Sequence, residues 1–197
     1  MSRRQSRSFR GLHALIAHPP GRDRTVLHNQ LEFLGLKVTV QDQASDTPPQ
    51  SVDILFFDAD ALQATDQDDS HGPFELPAVA LIGSETPSRL QAMLARQPSA
   101  WLMKPIRSTG IYASLAIATH QFTTLQAMRR KLVAADERLR SRRLLLSATL
   151  QIMKQAQVDD AEAFRMLRGL AMSRRETIEA VSARILAGEL PLIRMAG

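Results

Sequence analysis

Residues 52–58 read VDILFFD, a short run of large apolar side chains closed by a carboxylate. A run this apolar fits a strand buried on both faces, as the strands of a parallel sheet are. Four further strand-like runs flank it, the second of them alternating in β-branched residues. Upstream lie 12–17 (LHALIA), which leads into His18-Pro19-Pro20-Gly21, and 37–40 (KVTV); downstream lie 78–82 (AVALI) and 100–103 (AWLM). Helical spacing separates the first two, with apolar residues at Val26, Leu27, Leu31 and Leu34 and a closing Gly35. It also separates the last two, where Arg89, Leu90, Met93 and Leu94 form a stripe. Strands alternating with helices predict an α/β fold, a doubly wound, five-stranded parallel sheet.

The carboxyl ends of the strands form the site of such a sheet. Asp58 ends the third strand, Ser84 follows the fourth in LIGSE, and Lys104-Pro105 follows the fifth in WLMKP. A carboxylate nucleophile beside a cation and hydrogen-bond donors suits phosphoryl acceptance. These positions resemble the receiver domain of response regulators. Receivers hold Mg²⁺ with an acidic pair just after the first strand, where this chain has His18-Pro19-Pro20. Mg²⁺ requires carboxylates and waters in near-octahedral geometry, which Asp58 alone does not supply. The expectation is a pseudo-receiver over residues 11–110, with Asp58, Ser84 and Lys104 as a vestigial phosphoacceptor pocket. The alternative is a phosphorylation-dependent response regulator, acting on DNA or through protein partners, whose altered site draws on Asp23 or Asp60.

Composition narrows the classes further. With no cysteine, disulfides and cysteine metal sites are excluded and a reducing cytoplasm is compatible. No apolar run approaches the ~18 residues of a membrane span. The first ten residues carry Arg3, Arg4, Arg7 and Arg10 with no apolar segment behind them, so a basic flexible arm over 1–10 is expected rather than a secretory leader. Residues 11–110 hold 7 Lys/Arg against 12 Asp/Glu, whereas residues 111–197 hold 14 against 8. An acidic front and a basic back suggest a docking half and a polyanion-binding half. The acidic stretch 65–77, with His71, reads as a solvated loop, and Trp101 as core or edge packing. GxGxxG, GxxxxGKS, GxSxG and HExxH are absent. No catalytic residue, metal site or cofactor is expected, and no enzyme activity.

From Ile111 to Ala156 there is neither glycine nor proline. With Leu115 as heptad position a, the d positions are Ala118, Leu125, Leu132, Leu139, Leu146 and Met153, while Arg129, Asp136 and Arg143 put charge on the a row. The apolar d row predicts a coiled-coil linker over 111–145 that dimerises through Phe122, Leu125, Leu132, Leu139 and Leu146.

The remaining residues, 146–197, read as a small helical domain. Asp159 is the N-cap of one helix with Glu162 as capping-box partner, and that helix ends near Met172. Ser173 and Glu176 form the same pattern for a last helix, which Gly188 and Pro191 end. The predicted mini-core is Leu150, Met153, Phe164, Leu167, Ile178, Val181 and Ile185. In this reading Arg174 and Arg175 fall in the first turn of the last helix, a position unfavourable for cations by ~0.3–1 kcal/mol each. Such a pair suggests an external anion.

Ala148, Ile152-Met153, Ala161-Glu162-Ala163-Phe164, Leu167-Arg168, Ala171-Met172, Ile178, Val181 and Ile185-Leu186 resemble the ANTAR domain of antitermination regulators. Thr149 departs from the family, which commonly has lysine there. The whole layout, including Pro19-Pro20-Gly21, is similar to AmiR-like regulators: pseudo-receiver, coiled coil, ANTAR. The resemblance implies a dimer that binds leader mRNA hairpins, permits transcriptional read-through and docks a ligand-sensing protein on its receiver-like half. It implies an RNA-binding surface of Lys154, Arg165, Arg168, Arg174 and Arg175, with Ala171 and Met172 contributing by close approach or packing.

Overall fold

The computed structural model describes residues 8–44, 48–62 and 72–190. Arg3, Arg4, Arg7, His71 with residues 65–70 of the acidic stretch, and Pro191 lie outside the described residues. The chain divides into two compact units, Met1–Ala127 and Met128–Gly197.

The first unit contains β1 (His13–Ala17), α1 (Arg22–Phe33), β2 (Lys37–Gln41), β3 (Ile54–Asp58), a 3-10 turn (Ala59–Ala61), β4 (Ala78–Ile82), α2 (Pro87–Ala95) and β5 (Ala100–Met103). All neighbouring strands are parallel and their order is β2-β1-β3-β4-β5, the expected doubly wound sheet. Alternate residues of each strand face opposite sides. Ala14, Ile16, Ile54, Phe56, Val79 and Leu81 pack beneath Leu27 and Leu31 of α1 and Ile111, Leu115 and Ala118 farther along. Leu15, Ala17, Leu55, Phe57, Ala78, Ala80 and Ile82 form the other layer, with Phe74 and with Met93 of α2. Among the described residues, no α-helix lies between β2 and β3 or between β3 and β4. Phe74 helps to fill that second layer. It stands 5.1 Å from the Phe57 ring and carries the Arg96 guanidinium over its own face at 4.1 Å.

The expected border of the N-terminal arm moves. Phe9, read as part of the basic arm, is buried in the first core and meets Tyr112 edge-on at 5.6 Å, and Gly11 N–H donates to Gly35. An aromatic ring placed beside an apolar helix face gains more by burial than by remaining in a solvated arm. Trp101 lies on the edge strand β5 and is exposed.

The glycine- and proline-free stretch forms one helix, α3 (Ile111–Ala156), roughly 70 Å long at 1.5 Å per residue. Its start belongs to the sheet domain: Leu115 and Ala118, taken as the first a and d residues of the coiled coil, are fully buried in the first core. Leu125, Leu132, Leu139 and Leu146, spaced by seven, are exposed.

In the second unit the end of α3 packs with α4 (Asp160–Arg174) and α5 (Ile178–Leu186). Asp159 caps α4 as expected, its Oδ1 accepting the Glu162 N–H at 2.8 Å. The next boundary does not lie where the Ser-Arg-Arg-Glu pattern places it. Ser173 is inside α4; Thr177 caps α5, its Oγ1 accepting from the Ala180 N–H at 3.2 Å. Arg175 ends α4 in the left-handed region, φ 55°, and Glu176 N–H reaches back to the Ala171 carbonyl at 3.1 Å. That 6→1 bond satisfies a carbonyl which would otherwise be orphaned at the helix end. Arg174 and Arg175 therefore stand at a helix C-terminus, where cations are favoured, and the argument from a misplaced charge pair fails. Glu176 instead accepts from Arg184 Nη1 at 2.8 Å.

Of the expected core, Leu167, Val181 and Ile185 are buried and Met153 and Ile178 pack against them, while small residues of α3 and α4 take the places expected for Leu150 and Phe164. Ala148 and Ile152 of α3, Ala163, Leu167 and Ala171 of α4, Val181 and Ile185 of α5, and Leu190 are buried. Leu150 and Phe164 are exposed. Alanines at 148, 163 and 171 leave little side chain between helices, so close approach replaces the larger residues that simple hydrophobicity selects.

Arg175→Gly removes the cost of a left-handed L-residue, about 1 kcal/mol. The variant is expected to be as stable as the parent or more so in urea unfolding. A marked loss of stability would show that the Arg175 side chain itself supports the α4–α5 turn.

Candidate functional site

Two sets of residues carry the chemistry, one in each unit. The first lies at the carboxyl ends of the strands, at the switch point between β1 and β3, whose outward neighbours lie on opposite sides. Asp58, at the end of β3, is buried, and its Oδ1 accepts from Lys104 Nζ at 2.5 Å and from the Asp60 N–H at 3.0 Å. His18, immediately after β1, directs Nε2 at Asp58 Oδ2 from 3.5 Å, while its Nδ1 donates to the Pro19 carbonyl at 2.8 Å. The contact becomes an ion pair when the ring carries both protons.

Asp60, on the 3-10 turn, completes the pocket. Its Oδ2 accepts from Gly83 N–H at 2.8 Å and from Lys104 Nζ at 3.1 Å; its Oδ1 accepts from Ser84 N–H at 3.2 Å and lies 3.6 Å from Arg89 Nη1. Asp58, Ser84 and Lys104 are thus brought together, but Ser84 takes part through its main-chain N–H. Asp60 is central, although the sequence reading gave it only an alternative role. The signal for it is its place two residues after Asp58, on a turn that aims it back at the strand ends. Burial pushes the Asp60 carboxyl up, but the hydrogen bond and charge of Lys104, with the N–H groups of Gly83 and Ser84, outweigh this and hold it below the ordinary value. Asp23 is engaged elsewhere, accepting from the Ile106 N–H at 2.8 Å.

The pocket does not fit the Mg²⁺ ion of a receiver. The position after β1 offers an imidazole and two prolines, and the described residues contain no cluster of three His, Cys, Asp or Glu side chains able to hold a metal.

The second set lies on α4. Residues 163, 167 and 171 face the core, so Arg165, Arg168 and Met172 share the outer face with Phe164 at its rim. Met172 is 71% exposed and Phe164 44% exposed. Arg165 pairs with Glu162, Arg174 and Arg175 are exposed at the helix end, and Lys154 stands in the last turn of α3. Ala171 is buried, so its contribution is packing. Phe164 was assigned to the core from sequence, and its exposure beside Arg168 became visible only with the helix packed.

Residues 12–119 match the family described as AmiR, N-terminal, and residues 134–186 match the ANTAR domain. The chain belongs to the AmiR family of ANTAR antitermination regulators. It joins a receiver-like domain to an ANTAR domain, and ANTAR domains bind RNA. No curated protein sequence matches it significantly. Among solved structures, full-length FixJ from B. japonicum is 17% identical, covering 92% of this chain and 100% of its own, with a TM-score of 0.48. The Rec1 domain of ShkA, in complex with c-di-GMP, is 21% identical over 58% of this chain and 94% of its own, with a TM-score of 0.44. The receiver domain of a modulated diguanylate cyclase from Desulfovibrio desulfuricans G20 is 22% identical over 58% and 98%, also at 0.44. The AmiR-type fold assignment rests on the strand order and the family matches.

A Cβ at position 83 would lie 2.6 Å from Asp60 Oδ2. Gly83→Ala is expected to destabilise by about 1–3 kcal/mol through this overlap, and by less in an Asp60→Ala background, which a double-mutant cycle reads directly. Additive losses would place the strain elsewhere. Because the Asp60 carboxyl is depressed, its stabilisation is present above its ordinary value of 3.8 and fades as pH falls through the folded-state value. The stability gap between the parent chain and Asp60→Ala should therefore narrow under acid, with Asp58, Lys104 and Arg89 retained in both proteins.

Proposed function

We propose that the chain recognises leader mRNA hairpins as a dimer, through its ANTAR domain, and so allows transcription to pass a terminator. The observation that carries this reading is the outer face of α4, where Arg165, Arg168 and Met172 lie together with Phe164 at the rim. Single-stranded RNA loops are read by stacking on aromatic side chains, with phosphates held by arginine and lysine. Lys154, Arg174 and Arg175 extend the basic surface beyond that face. Arg174 and Arg175 stand at the C-terminus of α4, and their proposed role rests on exposure and charge alone.

Dimerisation is assigned to α3. Leu125, Leu132, Leu139 and Leu146, with Phe122, form an apolar row at heptad spacing that a second copy would cover. The coiled coil in this scheme begins after Ala118, because the preceding turns belong to the sheet. The charged a positions Arg129, Asp136 and Arg143 would set register. The ANTAR domain is taken as 146–197. Control is proposed to act in the cytoplasm, through a ligand-sensing protein docked on the receiver-like domain, without phosphoryl transfer to Asp58.

Electrophoretic mobility shifts with a leader hairpin RNA and a duplex DNA test the reading. The hairpin should bind and the duplex should not. Phe164→Ala should weaken RNA binding by the ~1–3 kcal/mol of a lost stacking contact, with little change in stability. Arg168→Ala should also reduce the salt slope by about one. Tight duplex binding without hairpin binding would favour a DNA-acting response regulator. Sedimentation should give a dimer that Leu132→Asp/Leu139→Asp converts to monomer; a parental monomer at micromolar concentration would exclude the coiled coil.

A further inference from the structure

An aspartyl-phosphate site must supply donors and cations to the phosphoryl oxygens. In this pocket those groups are already engaged. Gly83 N–H, Ser84 N–H and Lys104 Nζ all donate to Asp60, and Arg89 lies beside the same carboxylate. Lys104 simultaneously holds Asp58, so one ammonium joins two carboxylates. A phosphoryl group on Asp58 would have to take these donors from Asp60 and stand against its negative charge. Like charges that close disfavour one another strongly.

We propose that Asp60 is the resident anion of this pocket, its carboxylate standing where a phosphoryl group would otherwise be held, with His18 standing beside Asp58 in place of a metal ion. Gly83 is part of the device, since any side chain at that position would meet Asp60 Oδ2. His18 contributes the complementary half. Its Nε2 is buried, has no hydrogen-bond partner and is directed at Asp58 Oδ2 from 3.5 Å. The pocket thus carries its anion and the Lys104 cation that holds it in its own chain, and this pairing does not wait for a kinase or a divalent cation. The inference rests on the reading that Asp58 works without phosphoryl transfer, and it names what occupies the site instead.

The test uses the full chain and inorganic phosphate as probe, compared with chloride at equal ionic strength. Phosphate stabilises proteins generally by exclusion from their surface, so the readout is the gain in melting temperature relative to the parent. In chloride, Asp60→Ala and Asp60→Asn should both melt below the parent, the first for loss of the carboxylate and the second for loss of its charge. In phosphate, Asp60→Ala should gain roughly 2–4 °C more than the parent. That extra gain should disappear in Asp60→Ala/Lys104→Ala, and Asp60→Asn, whose side chain still fills the pocket, should not show it.

The proposal is overturned if Asp60→Asn melts like the parent in chloride, or if folded Asp60→Ala gains no more from phosphate than the parent does. Should Asp60→Ala fail to fold in chloride, folding restored by phosphate in Asp60→Ala but not in Asp60→Ala/Lys104→Ala supports the proposal, and no restoration, or equal restoration of both, overturns it. The underlying reading is tested separately by intact mass. A parental chain that takes one phosphoryl group from a small acyl phosphate with Mg²⁺, and loses that ability on Asp58→Ala, would show that Asp58 is a working acceptor.

Discussion

Parallel strands can be joined only by crossovers, and every crossover returns the chain to the same end of the sheet. The carboxyl ends of β1, β3, β4 and β5 therefore meet along one edge, and the register keeps them level. Ala17 is paired with Phe57, Asp58 with Leu81, and Ile82 with Met103. Residues separated by up to 86 positions in the chain, from His18 to Lys104, are consequently brought around one carboxylate. The pocket is a product of this topology before it is a product of any local motif.

Once the strand ends are assembled, charge balance dictates the remainder. Two carboxylates a few ångströms apart are tolerated because Lys104 bridges them and because two main-chain N–H groups face Asp60. An unpaired carboxylate in so enclosed a position would be neutralised or expelled. Gly83 contributes by what it lacks. The short turn after β3 contributes by direction, since it points Asp60 back toward the sheet and not out to solvent. The AmiR-type receiver domain thereby keeps an aspartate at the end of β3, with Lys104 bonded both to it and to a second carboxylate of the same chain.

The ANTAR unit follows a different constraint. Its core is small, and it gains density from alanines at 148, 163 and 171 that let three helices approach closely. Turning these small residues inward turns Phe164, Arg168 and Met172 outward. The packing economy of the core and the basic-aromatic character of the surface are thus two consequences of one helix rotation. Arg175 in the left-handed region then sets where α4 stops and how the chain enters α5.

Much of this was legible in the chain alone. The alternating strands and helices and the 46-residue helix followed from apolar runs and the absence of glycine and proline, which are properties of consecutive residues that periodicity reports directly. The receiver-like class, the pocket of Asp58, Ser84 and Lys104 and the missing acidic pair at His18-Pro19-Pro20 followed from the resemblance of the strand-end residues to receivers. Three things were not legible. The Ser173–Glu176 pattern imitated a capping box because capping depends on which residue leaves the helix, and the left-handed turn that decides this falls on an arginine, a residue with no turn signature. Phe9 and Phe164 exchanged places, surface for core and core for surface, because burial depends on a partner surface that hydrophobicity alone does not specify. The occupant of the VDILFFD strand end was also hidden. The sequence determined that a carboxylate would close that strand; only the tertiary structure decided that a second one, Asp60, would fill the space in front of it, because the donors that hold it come from separate strands of the sheet.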